Sequence, residues 1–242
     1  WDEDEVLAPD VTKRETLLLL AKMTSNAYYP EPGTPGWYDL GERWNVSYPF
    51  GWEPDQDGFR GYIFATEDNS TVILSIKGTT VPWIGDVVAV PILFYNVATN
   101  LYYNVTYMYP NANIWLTGHS LGGSLAALLG ATFGVPVVAF ETPGEKLAAS
   151  RLHLPSPVGS PCHQGVSIIY DTVSNLSWSV NIAKHGIVTV IESVLNKTWL
   201  PSEEMGLEVP VAYPEEDCIE CFSWEFGDFP RNTSLIGQNG SG

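Results

Sequence analysis

The pentapeptide Gly118-His119-Ser120-Leu121-Gly122 constrains this chain more than any other stretch. It follows a short β-rich run at 114–117 and opens a segment of small and apolar helix formers at 123–133, after which 135–140 is a continuous apolar run. Strand, tight turn, helix and strand in that order make a βαβ unit, which implies a parallel pair in a sheet covered by helices. A Gly-x-Ser-x-Gly sequence in that setting is a nucleophile elbow. The turn forces Ser120 into a strained backbone conformation and presents its hydroxyl above the sheet, while the flanking glycines let strand and helix approach without Cβ clashes. The helix starting beside Ser120 aims free N–H groups and its positive dipole end at a reacting carbonyl, so the Leu121 N–H is a candidate oxyanion donor.

A serine hydroxyl becomes a useful nucleophile when a base takes its proton, and in hydrolases with this elbow the histidine follows the serine in sequence. Of the four histidines, His119 lies inside the turn with its side chain directed away from the nucleophile and reads as structural. His153 and His163 flank a Pro-rich loop, where either fits a solvated surface position. His185, in Asn181-Ile-Ala-Lys-His185-Gly186, immediately precedes a helical pattern and is the expected general base. The orienting carboxylate is expected between Ser120 and His185, where the acidic residues are Glu141, Glu145 and Asp171. Glu141 and Glu145 follow a strand and read as caps of the next helix N-terminus. Asp171 ends the β-rich run Ile168-Ile169-Tyr170 and is the carboxylate expected to orient His185. A second oxyanion donor is expected from Thr79 or Thr80 in the loop Lys77-Gly78-Thr79-Thr80.

Around this centre the pattern reads as a helix at 12–26, irregular surface at 29–57, two β-rich runs at 59–66 and 71–76, and a helical stretch at 97–107. A further strand is expected at 166–170 and an amphipathic helix at 187–195. The aromatic segment 94–109, with Trp83 before it, is compatible with an acyl-chain site and with ordinary core. No repeat or Pro/Gly-rich linker divides the sequence, and 45% hydrophobic residues in a 242-residue chain suit one α/β domain spanning 1–242.

Eleven basic against 28 acidic side chains give a net charge of −17, which a phosphate backbone would repel, so nucleic-acid binding is excluded as a leading function. No apolar run reaches the roughly 18–20 residues that cross a bilayer, and the chain as written is expected to be soluble. Seven of its 13 asparagines, Asn45, Asn69, Asn104, Asn175, Asn196, Asn232 and Asn239, lie in Asn-x-Ser/Thr sequons. Chance would supply about two at this Ser/Thr content, so passage through a secretory pathway and surface glycans are expected. Three cysteines are too few for a disulfide scaffold; Cys218-x-x-Cys221 is expected to form a local disulfide, leaving Cys162 without a partner.

From Ile114-Trp-Leu-Thr-Gly-His-Ser-Leu-Gly-Gly-Ser-Leu-Ala126 through Phe140-Glu-Thr-Pro143 the chain resembles the class 3 lipase branch of the α/β-hydrolases, and more narrowly the autophagy-related vacuolar phospholipases of fungi. Ser75-Ile-Lys-Gly-Thr79, Asn100-Leu-Tyr-Tyr-Asn104, Tyr170-Asp-Thr-Val173, Asp217-Cys-Ile-Glu-Cys221 and Trp224-Glu-Phe-Gly-Asp228 extend the resemblance over nearly the whole chain. It implies an α/β-hydrolase fold with a mostly parallel central sheet flanked by helices. It further implies a glycosylated, lumenal serine hydrolase that uses Ser120 and His185, needs no metal or organic cofactor, and acts on phospholipids of autophagic and endosomal vesicle membranes. Family members are held by an N-terminal membrane helix that this chain does not contain. A neutral-lipid or small-ester hydrolase and a catalytically silent lipid-binding module are the alternatives. Two departures stand out: Leu154-Pro-Ser-Pro157 runs almost directly into Cys162-His-Gln-Gly165, where the family inserts a segment with its triad aspartate, and a Cys-rich lid-like segment is missing between Trp83 and Phe94.

Overall fold

A computed structural model describes residues 5–44, 46–52, 58–78, 89–155 and 162–214. Five strands form one sheet in the order of the chain: β1 (Val46–Phe50), β2 (Gly61–Ala65), β3 (Thr71–Ile76), β4 (Asn113–His119) and β5 (Val137–Phe140). β3, β4 and β5 are parallel, joined by crossovers through α2 (Ala89–Met108) and α3 (Leu121–Phe133). β1 and β2 add to this edge as antiparallel strands, so the sheet is mixed where the sequence had suggested a mostly parallel one. The reason is connection length: the few residues of 66–70 can turn a hairpin, whereas a parallel return needs a crossover of a dozen or more. β1 lies within the stretch 29–57 expected to be irregular; Pro49, which lacks an N–H, is tolerated there because β1 is an edge strand.

β3 is buried along its whole length and divides two cores by its alternation. Val72, Leu74 and Ile76 pack with Ile63 and Ala65 against Ala98, Tyr102 and Val105 of α2 and Leu125, Ala126 and Leu129 of α3. Ile73, with Tyr62 and Phe64, faces Leu17, Leu20, Ala21 and Met23 of α1 (Arg14–Asn26). The second face is completed by Ile187 and Ile191, where a short helical turn, Ile187–Thr189, continues as a π turn over Val190–Leu195. Each such buried aliphatic side chain contributes about 1.5–3 kcal/mol relative to exposure, so helices clamp the sheet from both sides. The aromatic stretch of α2 is divided: Tyr102 is core, stacked on Phe133 at 3.9 Å between ring centroids, whereas Tyr103 and Tyr107 are exposed.

Residues 166–170 do not form the expected strand; a single antiparallel bridge joins Ser167 to Tyr213. β-branched residues favour a strand only when a neighbouring strand accepts them, and Val166 and Ile169 remain exposed.

The β4–α3 turn fits because two glycines leave room for backbone. A Cβ on Gly118 would lie 2.4 Å from the Gly122 carbonyl oxygen, and one on Gly122 would lie 2.3 Å from that of Ile76. Neither neighbour is a flexible side-chain end, so the end of β3 would have to move. Gly122→Ala is therefore expected to cost about 1–3 kcal/mol, the usual range for overpacking. Urea unfolding should show a lower midpoint with an unchanged slope; an unchanged midpoint would mean that the turn is looser than described.

Candidate active site

Ser120 sits between β4 and α3 with φ 56° and ψ −132°, a conformation that costs a side-chain-bearing residue about 1–3 kcal/mol. The turn is pinned from both sides: Ser120 N–H donates to Phe140 O at 3.0 Å, and Ser120 O accepts from Gly123 N–H at 2.9 Å. Leu121 is the first residue of α3, so its N–H has no carbonyl four residues back inside the helix. That is the arrangement an oxyanion donor needs. The loop after β3 presses on the elbow, since a Cβ on Gly78 would lie 3.3 Å from Ser120 Cβ. Thr79, the expected second donor, and Thr80 lie outside the described residues.

His185 ends a 3-10 turn, Ile182–Lys184, whose N-terminus is capped by Asn181 Oδ1 accepting from Ala183 N–H at 2.9 Å. Its ring lies 4.7 Å from that of His119, the residue preceding Ser120, which brings the expected base beside the elbow. No direct hydrogen bond joins Ser120 Oγ to the His185 ring among the described residues; in ligand-free hydrolases such contacts commonly tighten only with substrate.

The carboxylate facing His185 is that of Glu141: Oε2 lies 3.8 Å from His185 Nδ1. Glu141 leaves β5 with φ 47°, a left-handed conformation unusual for a residue with a side chain, and this turns it out of the strand direction. Asp171 lies elsewhere in the network: its Oδ1 accepts from Ser174 N–H at 2.9 Å and caps the short helix Thr172–Leu176. Those hydrogen bonds hold the Asp171 carboxyl below its ordinary range. Glu145 occupies the N-cap position of the helix Lys146–Arg151, as the sequence had suggested, but its side chain makes no capping hydrogen bond there. Glu145, buried, instead pairs with His163 Nδ1 at 2.8 Å and accepts from Gln164 N–H. His163 is thus half-buried and hydrogen-bonded to Glu145 rather than a free surface residue, while His153 is exposed.

His119 is 5% exposed, and burial pushes its pKa down to about 4, outweighing the hydrogen bond to the His185 backbone, which works in the opposite direction. Unfolded, it would titrate near 6.5. Between these values the unfolded chain binds a proton that the folded one refuses, so this group's contribution to stability falls as pH drops from about 6.5 to 4. The loss is on the order of 3 kcal/mol at its limit. His119→Gln should flatten the acid slope of urea-unfolding stability relative to the parent chain; identical slopes would place His119 in contact with water.

A cavity of about 1570 Å3 is lined by Glu141, Thr142, Val173, Trp178, Val180, Ile182 and His185, among others; Ser120 is not in its lining. Val180 and Ile182 are 93% and 79% exposed, leaving apolar side chains at the surface beside His185. The described sequon residues Asn69, Asn104, Asn175 and Asn196 are all exposed; Asn45, Asn232 and Asn239 lie outside the described residues. Cys162, 4% exposed, is disulfide-bonded rather than unpaired. Cys218 and Cys221, expected to pair with each other, lie outside the described residues. Among the described residues no three His, Cys, Asp or Glu side chains gather to hold a metal ion, and no helix is long and apolar enough to cross a membrane.

A strained serine between a parallel strand and a helix, on a sheet clamped by helices, defines an α/β-hydrolase of the lipase type. Residues 77–135 match the family model described as Lipase (class 3). The protein named "Putative lipase ATG15" from Cryptococcus neoformans var. neoformans serotype D (strain B-3501A) is 34% identical over 368 residues, covering 95% of this chain and 70% of that protein. Its namesake from Saccharomyces cerevisiae (strain S288c) is 34% identical over 329 residues, covering 98% and 61%. This chain belongs to the ATG15 lipase family and is a serine-dependent ester hydrolase. Both matched stretches are longer than the whole chain of 242 residues, so the relatives carry internal positions that it lacks, in keeping with the two gaps read from the sequence. Among solved structures the Lip2 lipase of Yarrowia lipolytica is similar, with TM-score 0.44 and 20% identity over 67% of this chain and 71% of that one.

Sequence reasoning missed Glu141 as the acidic neighbour of His185. The available signal was its place directly after the strand next to the elbow, where active-site groups of parallel sheets collect.

Proposed function

We propose that this chain hydrolyses acyl esters of membrane phospholipids in the lumen of the secretory and vacuolar system, with Ser120 as nucleophile, His185 as general base and Glu141 as the carboxylate that orients it. The observation that carries the chemistry is the left-handed Ser120 at the start of α3 with the His185–Glu141 pair beside it. His185 takes the Ser120 proton as Oγ attacks the ester carbonyl carbon. The Leu121 N–H and the loop after β3, where Thr79 falls, receive the charge that develops on the carbonyl oxygen. The tetrahedral adduct collapses, the C–O bond to the leaving alcohol breaks, and His185 delivers the proton to that alcohol. Water activated by the same imidazole then releases the fatty acid and regenerates Ser120. Glu141, negative and close to Nδ1, favours the tautomer with its proton on Nδ1 and steadies the imidazolium.

The bonded Cys162 and the exposed sequons support an oxidising, glycosylating compartment. The exposed Val180 and Ile182 beside the His185 cavity support a substrate presented in a lipid surface. The test is fluorophosphonate labelling with peptide mapping, run beside turnover of phosphatidylcholine vesicles and triolein emulsion. Labelling at Ser120 with preference for the vesicles supports the proposal; preference for triolein overturns the phospholipid assignment, and absence of labelling overturns the catalytic one.

A further inference from the structure

We infer that Tyr28 is a positioning residue: its hydroxyl and the His119 ring form a directed polar bridge that ties the loop after β3 and the His185 turn to the nucleophile elbow. The bridge rests on the catalytic reading above, yet it touches the triad only through the backbone carbonyl of His185.

Its direction follows from what each atom can do. His119 Nε2 lies 2.7 Å from the His185 carbonyl oxygen, which can only accept, so Nε2 carries the proton. Burial keeps the ring neutral, which leaves Nδ1 bare. Tyr28 Oη lies 2.7 Å from that nitrogen and must donate to it. The Tyr28 hydroxyl stays protonated, its pKa pushed up to about 12, chiefly by burial; a hydrogen bond from the Gly78 backbone works in the opposite direction. Tyr28 O–H therefore donates to His119 Nδ1 and His119 Nε2–H to His185 O, while Gly78 packs against Tyr28 Oη. Reversing the His119 tautomer would aim a bare nitrogen at the His185 carbonyl oxygen and lose that bond. The chain has one arrangement.

Each end holds a part of the site. Gly78 is the residue before Thr79, and it passes so close to the elbow that a Cβ there would lie 2.5 Å from His119 O and 2.6 Å from Tyr28 Oη. At the other end the bond fixes the backbone of the residue that carries the general base. The bridge also sets charge. A protonated His119 at 4.7 Å would oppose the imidazolium that His185 becomes when it takes the Ser120 proton, and a bridge that requires a bare Nδ1 resists this. Lys77, whose ammonium lies 5.1 Å from the Tyr28 ring centroid and donates to Gly78 O at 2.9 Å, braces the same loop.

The experiment combines kinetics with a spectroscopic reading of the tautomer. For Tyr28→Phe, kcat per site titrated with a fluorophosphonate should fall about 10- to 100-fold on p-nitrophenyl butyrate, the scale of small misplacements in reacting groups, with KM within about twofold. A residue that only supports folding would lower the titratable fraction and leave kcat per site alone. In the parent chain, nitrogen-15 imidazole spectra should show His119 neutral at pH 7 with its proton on Nε2. A proton on Nδ1, or an unchanged kcat per site in Tyr28→Phe, overturns the bridge. The tautomer reading needs neither turnover nor a folded variant. An inactive parent chain with the expected tautomer would therefore count against the catalytic reading and leave the bridge standing, whereas an active one with the wrong tautomer would do the reverse.

Discussion

Ser120→Ala is expected to lower ester turnover by about 10⁶-fold, the loss found when a triad nucleophile is removed, while leaving the fold in place. The substitution deletes one oxygen. Alanine meets the same left-handed backbone cost as serine, the Ser120 N–H and C=O bonds to Phe140 and Gly123 are backbone bonds that survive, and no side-chain cap is lost from α3. Unfolding free energies of parent and variant from urea titration should agree to within about 1 kcal/mol. What remains is catalysis by the oxyanion donors and binding alone, roughly 10³–10⁴ above water. Vesicle hydrolysis followed by fatty-acid release checks both statements. Undiminished turnover in the variant would remove Ser120 from the mechanism altogether.

Glu141→Gln is expected to lower kcat by about 10⁴-fold, as loss of a triad carboxylate does by favouring the wrong imidazole tautomer. The comparison that gives the experiment its force is Asp171→Asn, expected to change turnover less than twofold because Asp171 is engaged in capping the helix Thr172–Leu176. Its effect on stability should be small as well, since asparagine caps a helix about as well as aspartate and its Oδ1 can still accept from Ser174 N–H. The reverse outcome, a silent Glu141 and an essential Asp171, would mean that His185 turns toward the Asp171 side during catalysis. Fluorophosphonate labelling rates separate the two variants without any lipid substrate, because the probe reads only how nucleophilic Ser120 is.

The elbow was legible because everything that makes it is local. Glycines at 118 and 122, a short β-run before and small helix formers after dictate a turn that no neighbour is needed to explain, and α3 begins at Leu121 directly after Ser120. β3 and α1 were legible for the same reason: an apolar run too short for a helix, and an amphipathic stretch of helical period. The 166–170 segment failed the same reading, since its β-branched residues promise a strand while only the sheet decides whether a partner lies alongside. Asp171 was misleading in a related way. A carboxylate at the end of a β-rich run looks free in sequence, but a following backbone N–H three residues on is the nearest donor and captures it.

By itself, then, the sequence determined the elbow and the helix that follows it, since these depend on residues within a few positions of one another. The tertiary structure alone decided which carboxylate faces His185 and which groups hold the site. Glu141 meets His185 from 44 positions away, and Tyr28 reaches His119 across 91. Hydrogen bonds and ion pairs of that kind act over a few ångströms in space whatever their separation along the chain. They exist only after the two cores have clamped α1, β4, β5 and the His185 turn onto the same sheet.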